Sequence, residues 1–351
     1  MQDYEVYSFR AYMITQQNKI REKDDHSTDI KTIDGLIHKM NTIESYISEK
    51  YYPVIDRLYP WFTSHGEKHI YSILNMLAEM LYRNHVSIAP LDFFMLYLAT
   101  IYHDTGMVSS RGRHAEEIKP IIKDLSGYIK SREVEQTILQ IAQAHSGPEE
   151  KIDTLPNAKM ISYDNRNRRH DIRALASLLR FVDEVSETVD RIDSTLLYDH
   201  KVPVENEIYW QYANCIKSSS VTGKPRSITM RIEIEKDTIF KSFPYIKKDG
   251  SKNDIVFLDY LFERLDKMNE ERKLCCINFR SFAEIDSIDI SLAIVDVDGN
   301  TIKIYGGDGG EKKAEFEIQL NERLTKQESI SVRFYEQHPE FSKKEALFKR
   351  E

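Results

Sequence analysis

Apolar residues recur every three to four positions through the first part of the chain, up to about residue 200. Five stripes of this kind stand out, over 30–47, 70–81, 91–101, 134–141 and 172–182. A repeat of three to four residues places the apolar side chains on one face of an α-helix, which buries that face against its neighbours. The pattern therefore predicts an all-α helical bundle over residues 1–200.

The apolar spacing changes to every second position after about residue 200. The stretch 228–234 alternates apolar and polar residues, which is typical of a β-strand. Another strand is expected over 330–334, whereas 255–273 has a helical pattern and the polar stretch 217–227 is interpreted as a loop. The chain is therefore predicted to be mainly a helical bundle, followed by a smaller α+β domain over residues 201–351.

Composition and charge narrow the class of protein. The 351 residues are 41% hydrophobic and 30% charged, as in a globular protein, and the net charge of −8 gives no overall attraction to nucleic acid or to an anionic membrane. No apolar stretch approaches the roughly 20 residues that span a bilayer, and the first residues lack a signal-peptide pattern. The three cysteines, two of them adjacent, do not suit a disulfide framework or a structural zinc site. We therefore expect a soluble cytoplasmic protein without a membrane partner.

Three helical segments present residue types that bind metals. His103 and Asp104 follow the third apolar stripe, and near a helix end both side chains can reach one ion over the helix axis. His69 opens the second stripe. Asp183 shares a helix face with apolar residues, where a carboxylate is costly unless it is paired or bound to metal. Two imidazoles and two carboxylates suit Mn²⁺, Fe²⁺, Mg²⁺ or Zn²⁺ and leave positions for water and a phosphate oxygen.

Two of these assignments have alternatives. His65 lies one helical turn before His69, so either could be the ligand. We prefer His69 because the apolar helix starts immediately after it, and His65 would then lie beside the ligands or touch substrate. Asp183 could instead pair with Arg180 on its own helix. We further expect that residues 201–351 contribute no metal ligand.

The candidate ligands, in the order His, His-Asp, Asp on successive helical segments, resemble those of the HD superfamily of metal-dependent phosphohydrolases. Residues 62–70, Phe-Thr-Ser-His-Gly-Glu-Lys-His-Ile, look like the family's first-ligand helix, and 178–184, Leu-Leu-Arg-Phe-Val-Asp-Glu, look like its last-ligand helix. The resemblance covers about residues 55–195, and more narrowly the chain is similar to bacterial HD proteins with a C-terminal α+β extension. It implies one or two divalent metal ions and hydrolysis of phosphomonoesters, phosphodiesters or nucleotide triphosphates.

Further residues fit the chemistry that this resemblance implies. Extra histidines bind a second metal ion in some HD enzymes and act on the leaving group in others, which makes His114 and His145 candidates for either role. In the mechanism that we favour, a metal-activated water attacks phosphorus. Protonated His114 or His145 then assists the departing oxygen, and Glu116 or Glu117 orients that histidine.

Arginine side chains supply the positive charge that a phosphate substrate needs. Arg111 and Arg113 follow the His-Asp pair, and a second cluster stands where we expect the helix of Asp183 to begin. That cluster consists of Arg166, Arg168, Arg169 and Arg173. Guanidinium groups bind phosphate oxygens bidentately, so we expect Arg111, Arg113 and Arg169 to contact the substrate phosphate. His65 is expected to contact it as well.

These observations predict a metal-dependent phosphohydrolase whose substrate is a nucleotide or oligonucleotide. Because the net charge is acidic and no long basic stripe with interleaved aromatic residues occurs, a soluble nucleotide is preferred over a nucleic-acid strand. The alternatives are an HD nuclease that acts on single-stranded nucleic acid, and a catalytically silent nucleotide-sensing or interaction module. In each case the C-terminal domain is a candidate surface for a protein partner or a second copy of the chain.

Overall fold

The computed structural model describes residues 27–83, 88–163, 166–222, 226–246, 251–305, 311–321, 329–342 and 346–348. The chain divides into two compact units. The first contains the described residues up to Pro60, Ser64–Ser186 and Glu271–Glu284, and the second contains Trp61–Thr63, Glu187–Glu270 and the described residues from Ile285 onwards. The assignment of residues 1–200 and 201–351 to two domains stays a prediction.

The first unit is a helical bundle with one β-hairpin. Its helices are α1 Ser27–Lys50, α2 Tyr52–Leu58, α3 Glu67–Arg83, α4 Pro90–Tyr102, α5 His114–Asp124, α6 Ser126–Ile129, α7 Arg132–Gln143, α8 Glu150–Asp153 and α9 Ile172–Val185. A 3₁₀ turn, Thr105–Val108, follows α4, and the hairpin strands are β1 Lys159–Tyr163 and β2 Arg166–His170. The five apolar stripes lie in α1, α3, α4, α7 and α9, so the predicted helices are confirmed.

Helix α4 occupies the centre of this unit. Every residue from Asp92 to Tyr102 is buried, and α4 packs against α1, α3, α7 and α9. Pro90 stands in its first turn, where the missing N–H of proline breaks no helical hydrogen bond. Because apolar burial holds α4 on all sides, its C-terminal end places His103 and Asp104 in the interior of the bundle.

The β1–β2 hairpin is an element that the apolar spacing did not predict. Its strands pair antiparallel, and Ile161 and His170 are buried beneath it. His170 Nδ1 lies 2.6 Å from Oδ1 of Asp92 at the start of α4. The prediction that the arginine cluster begins the helix of Asp183 is confirmed for Arg173, which lies in the first turn of α9. It is wrong for Arg166, Arg168 and Arg169, which lie on β2.

The second unit is α+β. Its helices are α10 Ser194–Tyr198, α11 Val204–Cys215, α12 Phe257–Cys276 and α13 Ile330–Gln337, of which α12 belongs to the first unit from Glu271 onwards. Its strands are β3 Ile216–Thr222, β4 Ser227–Glu235, β5 Ser242–Ile246, β6 Lys252–Val256, β7 Ser287–Val295, β8 Lys303–Tyr305, β9 Glu311–Lys313 and β10 Glu315–Leu320. A four-stranded sheet has the order β10-β7-β4-β3, in which β4 and β7 are parallel and the other neighbours are antiparallel.

The predicted architecture is confirmed: a mainly helical region precedes a smaller α+β region. The alternation over 228–234 lies in β4, and the helical pattern over 255–273 lies in α12, so both predictions are confirmed. Within the described ranges, no helix combines the length and the apolarity needed to cross a membrane.

Two predictions for the second part are wrong. Residues 217–222, predicted as part of a loop, lie in strand β3, because β3 pairs antiparallel with β4 and its backbone hydrogen bonds do not require apolar side chains. Residues 223–225 of the predicted loop lie outside the described residues. The stretch 330–334 is helical instead of extended. Ser329 caps α13 by accepting a hydrogen bond from the backbone N–H of Val332, a local signal that overrides the short apolar alternation.

Candidate metal centre

Three helices of the first unit bring the four predicted ligands together. His69 stands in the first turn of α3, and Asp183 lies in the last turn of α9. His69 Nε2 lies 3.1 Å from Asp183 Oδ1 and 3.7 Å from Asp104 Oδ2. His103 Nε2 lies 3.2 Å from Asp104 Oδ2 and 3.8 Å from Asp183 Oδ1. The four side chains therefore lie close together, although Asp104 and Asp183 belong to different groups of residues that could hold one ion.

These separations suit a shared cation. Two ligand atoms about 2.1 Å from one ion lie about 3.0 Å apart at a right angle and about 3.4 Å apart at the tetrahedral angle. Both histidines and Asp104 are buried, and buried ionisable groups are costly unless they share protons or a cation. His69, His103 and Asp183 could hold one metal ion, and His103, Asp104 and His145 form a second, overlapping group.

His114 and His145 approach the other oxygen of Asp104. Their Nε2 atoms lie 3.5 and 3.7 Å from Asp104 Oδ1, whereas His69 and His103 face Oδ2. The Nε2 atoms of His114 and His145 are 2.9 Å apart. Asp104 thus lies between two pairs of imidazoles, an arrangement that suits either two ions bridged by its carboxylate or one ion beside a proton-carrying pair.

Backbone carbonyl groups orient three of the imidazole rings. The Nδ1 atoms of His103, His114 and His145 lie 2.8, 2.7 and 2.5 Å from the carbonyl oxygens of the residues three positions earlier. Those residues are Thr100, Arg111 and Ala142. Because a carbonyl can only accept, each Nδ1 carries a hydrogen, and Nε2 is the ring nitrogen directed at the cluster.

The charges of the cluster compensate one another. Burial opposes ionisation of Asp104 and Asp183, but the neighbouring histidines outweigh it and hold both pKa values below the usual range. Burial also opposes the charge of His103, yet Asp104 outweighs it and raises the pKa of His103 to about 9. Burial, together with the nearby His103, lowers the pKa of His145 to about 4. The cluster therefore keeps a proton on His103 that a bound cation would displace.

His65 and His69 differ in their surroundings, and Arg180 has a partner other than Asp183. His69 is 1% exposed and contacts Asp183, whereas His65 is half-buried, with its ring centroid 5.8 Å from that of His69. Arg180 does not pair with Asp183. Its Nε and Nη2 donate to the two carboxylate oxygens of Glu271 at 2.7 and 2.8 Å. Asp183 is thus left to the histidines, with His65 beside them.

Gly106 brings α5 close to the His-Asp turn. A Cβ atom at Gly106 would lie 2.0 Å from the backbone carbonyl oxygen of His114. Real Cβ atoms do not approach an oxygen so closely, so only glycine permits this contact. Gly106 therefore permits the close approach that brings the start of α5, with His114, beside the His-Asp turn.

The other predicted site residues occupy two different places. Arg111 and Arg113 are exposed in the turn before α5, next to His114. Glu117 Oε1 lies 3.7 Å from Arg113 Nη2, and the group that orients His114 is the carbonyl of Arg111. Arg169 is exposed on β2, at the opposite end of α9 from Asp183.

Sequence reasoning missed residues that support the ligands from a distance. Glu271 lies 91 positions after Arg180, so no local spacing relates the two. Asn278 Nδ2 likewise donates to Ser177 Oγ at 3.1 Å, on the helix of Asp183. The orienting carbonyls leave no signal in the sequence either, because every residue has one.

A model of the HD-CE family matches residues 57–249, more than half of the chain. The matched range contains every residue of the two groups that could hold a metal ion. The segment Glu271–Glu284, which completes the first unit, lies beyond it. No curated protein and no solved structure matches the chain.

Proposed function

The chain belongs to the HD-CE family, and from that premise we propose that it is a metal-dependent phosphohydrolase that cleaves a phosphoester or phosphoanhydride bond in a nucleotide. One observation carries the proposal, namely the convergence of imidazole and carboxylate ligand atoms in the matched range. The converging side chains are His69, His103, Asp104 and Asp183. A mixed nitrogen and oxygen set of this size leaves coordination positions for water and for a phosphate oxygen.

The proposed ligands are oriented before any cation binds. The carbonyl of Thr100 fixes the ring of His103, and the neighbouring imidazoles keep Asp104 and Asp183 ionised. Manganese, magnesium, iron or zinc all suit this donor set. When bound, such a cation lowers the pKa of a coordinated water and withdraws charge from the phosphate oxygens.

His114 is the proposed proton donor to the departing oxygen. Its side chain is 21% exposed, whereas that of His145 is 3% exposed, so a substrate reaches His114 first. The more deeply buried His145 then serves as the partner that shares a proton with His114 across 2.9 Å. In the alternative, both imidazoles ligate a second ion, since the same separation also suits two ligands of one metal.

Positive charge for the substrate phosphate is proposed to come from Arg111 and Arg113. Both guanidinium groups are exposed beside His114, where they can bind phosphate oxygens bidentately. His65, next to His69, is proposed to contact the substrate as well. Glu117 is proposed to act through its ion pair with Arg113, which keeps that arginine near the site.

Metal analysis combined with a hydrolysis screen tests this function. The purified chain should retain at least one divalent ion and hydrolyse a member of a panel of nucleotides, cyclic dinucleotides and single-stranded DNA and RNA. Asp183→Asn should lose both metal and turnover, while the exposed Asp199→Asn should lose neither. Bound metal without turnover on the whole panel would favour a nucleotide-sensing module, and absence of bound metal would overturn the proposal.

A nuclease that acts on single-stranded nucleic acid is the second candidate. The observation that favours it is the exposure of Arg168 and Arg169 on β2, away from the space that a single nucleotide at the ligands would fill. Steeply salt-dependent substrate binding would support the nuclease, because each phosphate contact releases counterions.

A further inference from the structure

We propose that the β1–β2 hairpin is a docking surface for single-stranded nucleic acid, which it holds so that a phosphodiester bond of the strand reaches the metal centre. The inference rests on the nuclease form of the proposed hydrolase function and names the surface that would hold its strand. It follows from the charge of the hairpin, its anchoring, its exposed face and its distance from the ligands.

The hairpin is cationic in an acidic chain. Residues 159–170 contain four lysine or arginine residues and one aspartate, whereas the whole chain has a net charge of −8. Arg168 and Arg169 are both exposed. Among the described residues, neither side chain forms a hydrogen bond or an ion pair. Successive residues of a strand face opposite sides, so Arg169 lies on the same face as Met160, and Arg168 lies on the face of its partner Ile161. The two exposed guanidinium groups therefore flank β2, an edge strand of the two-stranded sheet, and suit a partner with closely spaced negative charges, as along a phosphate backbone.

The inner face of the hairpin fixes it to the bundle. Ile161 is fully buried, and His170 contacts Asp92 at 2.6 Å. Lys39 Nζ donates to the hydroxyl of Tyr163 at 2.6 Å. Because helices α1 and α4 both hold the hairpin, its outer face is organised before a partner binds, which lowers the entropy lost on binding.

The outer face combines cationic, polar and apolar side chains. Its described members, Met160, Ser162, Asn167 and Arg169, are all exposed. Met160 is 52% exposed and lies directly opposite Arg169 in the strand pairing. A guanidinium plane beside an exposed apolar side chain suits unstacked bases, which a single strand offers and a duplex keeps inside.

The burial of the proposed metal ligands also favours a single strand over a duplex as the substrate. The side chain of His103 is not exposed, that of Asp104 is 6% exposed and that of Asp183 is 25% exposed. A phosphate must therefore enter the bundle to reach them. A flexible single strand can bend inward, whereas the phosphates of a duplex stay on the outside of a stiff rod.

Distance sets the length of strand that this surface requires. Asp92, which holds the hairpin, lies eleven residues before His103 along α4 and its C-terminal end. Ile172, which follows the hairpin, lies eleven residues before Asp183 along α9. At 1.5 Å per residue, both paths measure about 17 Å. That length is about five times the roughly 3.4 Å phosphate spacing of a duplex strand, and it also exceeds one nucleotide of a more extended single strand, so an oligonucleotide can contact hairpin and ligands together and a mononucleotide cannot.

The docking surface is tested by the binding of a fluorescein-labelled oligo(dT) of about twelve nucleotides. Fluorescence anisotropy measures the binding over a salt titration, and EDTA prevents hydrolysis during the measurement. Arg168→Ala/Arg169→Ala should weaken binding roughly tenfold or more at low salt. It should also reduce the slope of log K against log salt by about 1.4, which is about 0.7 for each lost phosphate contact. Arg168→Lys/Arg169→Lys should retain most of the affinity. Lys119→Ala/Lys123→Ala removes the same charge from exposed positions of α5 and should bind as wild type does.

The outcomes separate docking from the proposed hydrolysis. Unchanged affinity in the arginine-to-alanine variant, or an equal loss in the lysine control, would overturn the docking surface. Equally arginine-dependent binding of a duplex or of anionic phospholipid vesicles would overturn its specificity for single strands. With metal present, the arginine variant should cleave the long oligonucleotide more slowly than the lysine control does. Arginine-dependent binding without any cleavage of the oligonucleotide by the wild-type chain would support the docking surface and contradict the hydrolase function.

Discussion

Glu271→Ala is expected to destabilise the first unit strongly, because it removes the only carboxylate that Arg180 contacts among the described residues. Arg180 and Glu271 form a bidentate ion pair whose side chains are 6% and 13% exposed. The substitution leaves the guanidinium in the interior without its counter-charge. Arg180 also stands one helical turn before Asp183, so the loss of this contact acts directly on the last-ligand helix.

Measured cases set the size of the effect. Removing one partner of a buried ion pair costs about 3–5 kcal/mol, whereas an exposed pair contributes about 0–1 kcal/mol. With a urea dependence of about 2–3 kcal/mol per molar, the unfolding midpoint of the first unit should fall by about 1–2.5 M. Arg180→Met/Glu271→Leu should recover most of the loss, because apolar side chains of similar volume need no counter-charge.

Urea unfolding followed by far-ultraviolet circular dichroism measures this midpoint, and titration with Mn²⁺ shows whether Asp183 keeps its place. Asp199→Ala, which breaks the exposed pair with Lys201, is the matched control and should shift the midpoint by less than about 0.5 M. A shift in Glu271→Ala no larger than in this control, or a double variant as unstable as the single one, would refute the reasoning.

Three further predictions concern the ligands and their neighbours. His114→Ala should retain its metal and lower turnover by about 10²–10⁴-fold, as expected for loss of a proton donor, whereas loss of one metal equivalent with activity would make His114 a ligand. Gly106→Ala forces a Cβ atom against the carbonyl oxygen of His114, so turnover should fall by about 10²-fold through misplacement of the imidazole, and wild-type kinetics would contradict the close approach. The raised pKa of His103, about 9, means that this imidazole is protonated below pH 9 and that a cation must displace the proton. Metal affinity should therefore rise about tenfold per pH unit towards pH 9. Calorimetry in buffers of different ionisation enthalpy should detect about one proton released on metal binding at pH 7. A metal affinity that is constant from about pH 6 to 8 would contradict the displacement of this proton.

Much of the helical region could be predicted from the sequence, because its determinants are local. The apolar stripes over 70–81, 91–101 and 172–182 correspond to α3, α4 and α9. An amphipathic repeat specifies a helix and its buried face without reference to the rest of the chain. The candidate ligands stand at the ends of these stripes, so the sequence could place each of them at a helix end.

The contacts that orient the candidate site were decided only by tertiary structure. Arg180 could have paired with Asp183 on its own helix, yet the folded chain brings Glu271 to it from 91 positions away. The β1–β2 hairpin was missed for a related reason: it is stabilised by strand pairing and by the contact of His170 with Asp92, 78 positions earlier. Contacts between such distant positions depend on how the bundle packs, and no short-range repeat of apolar and polar residues records that packing.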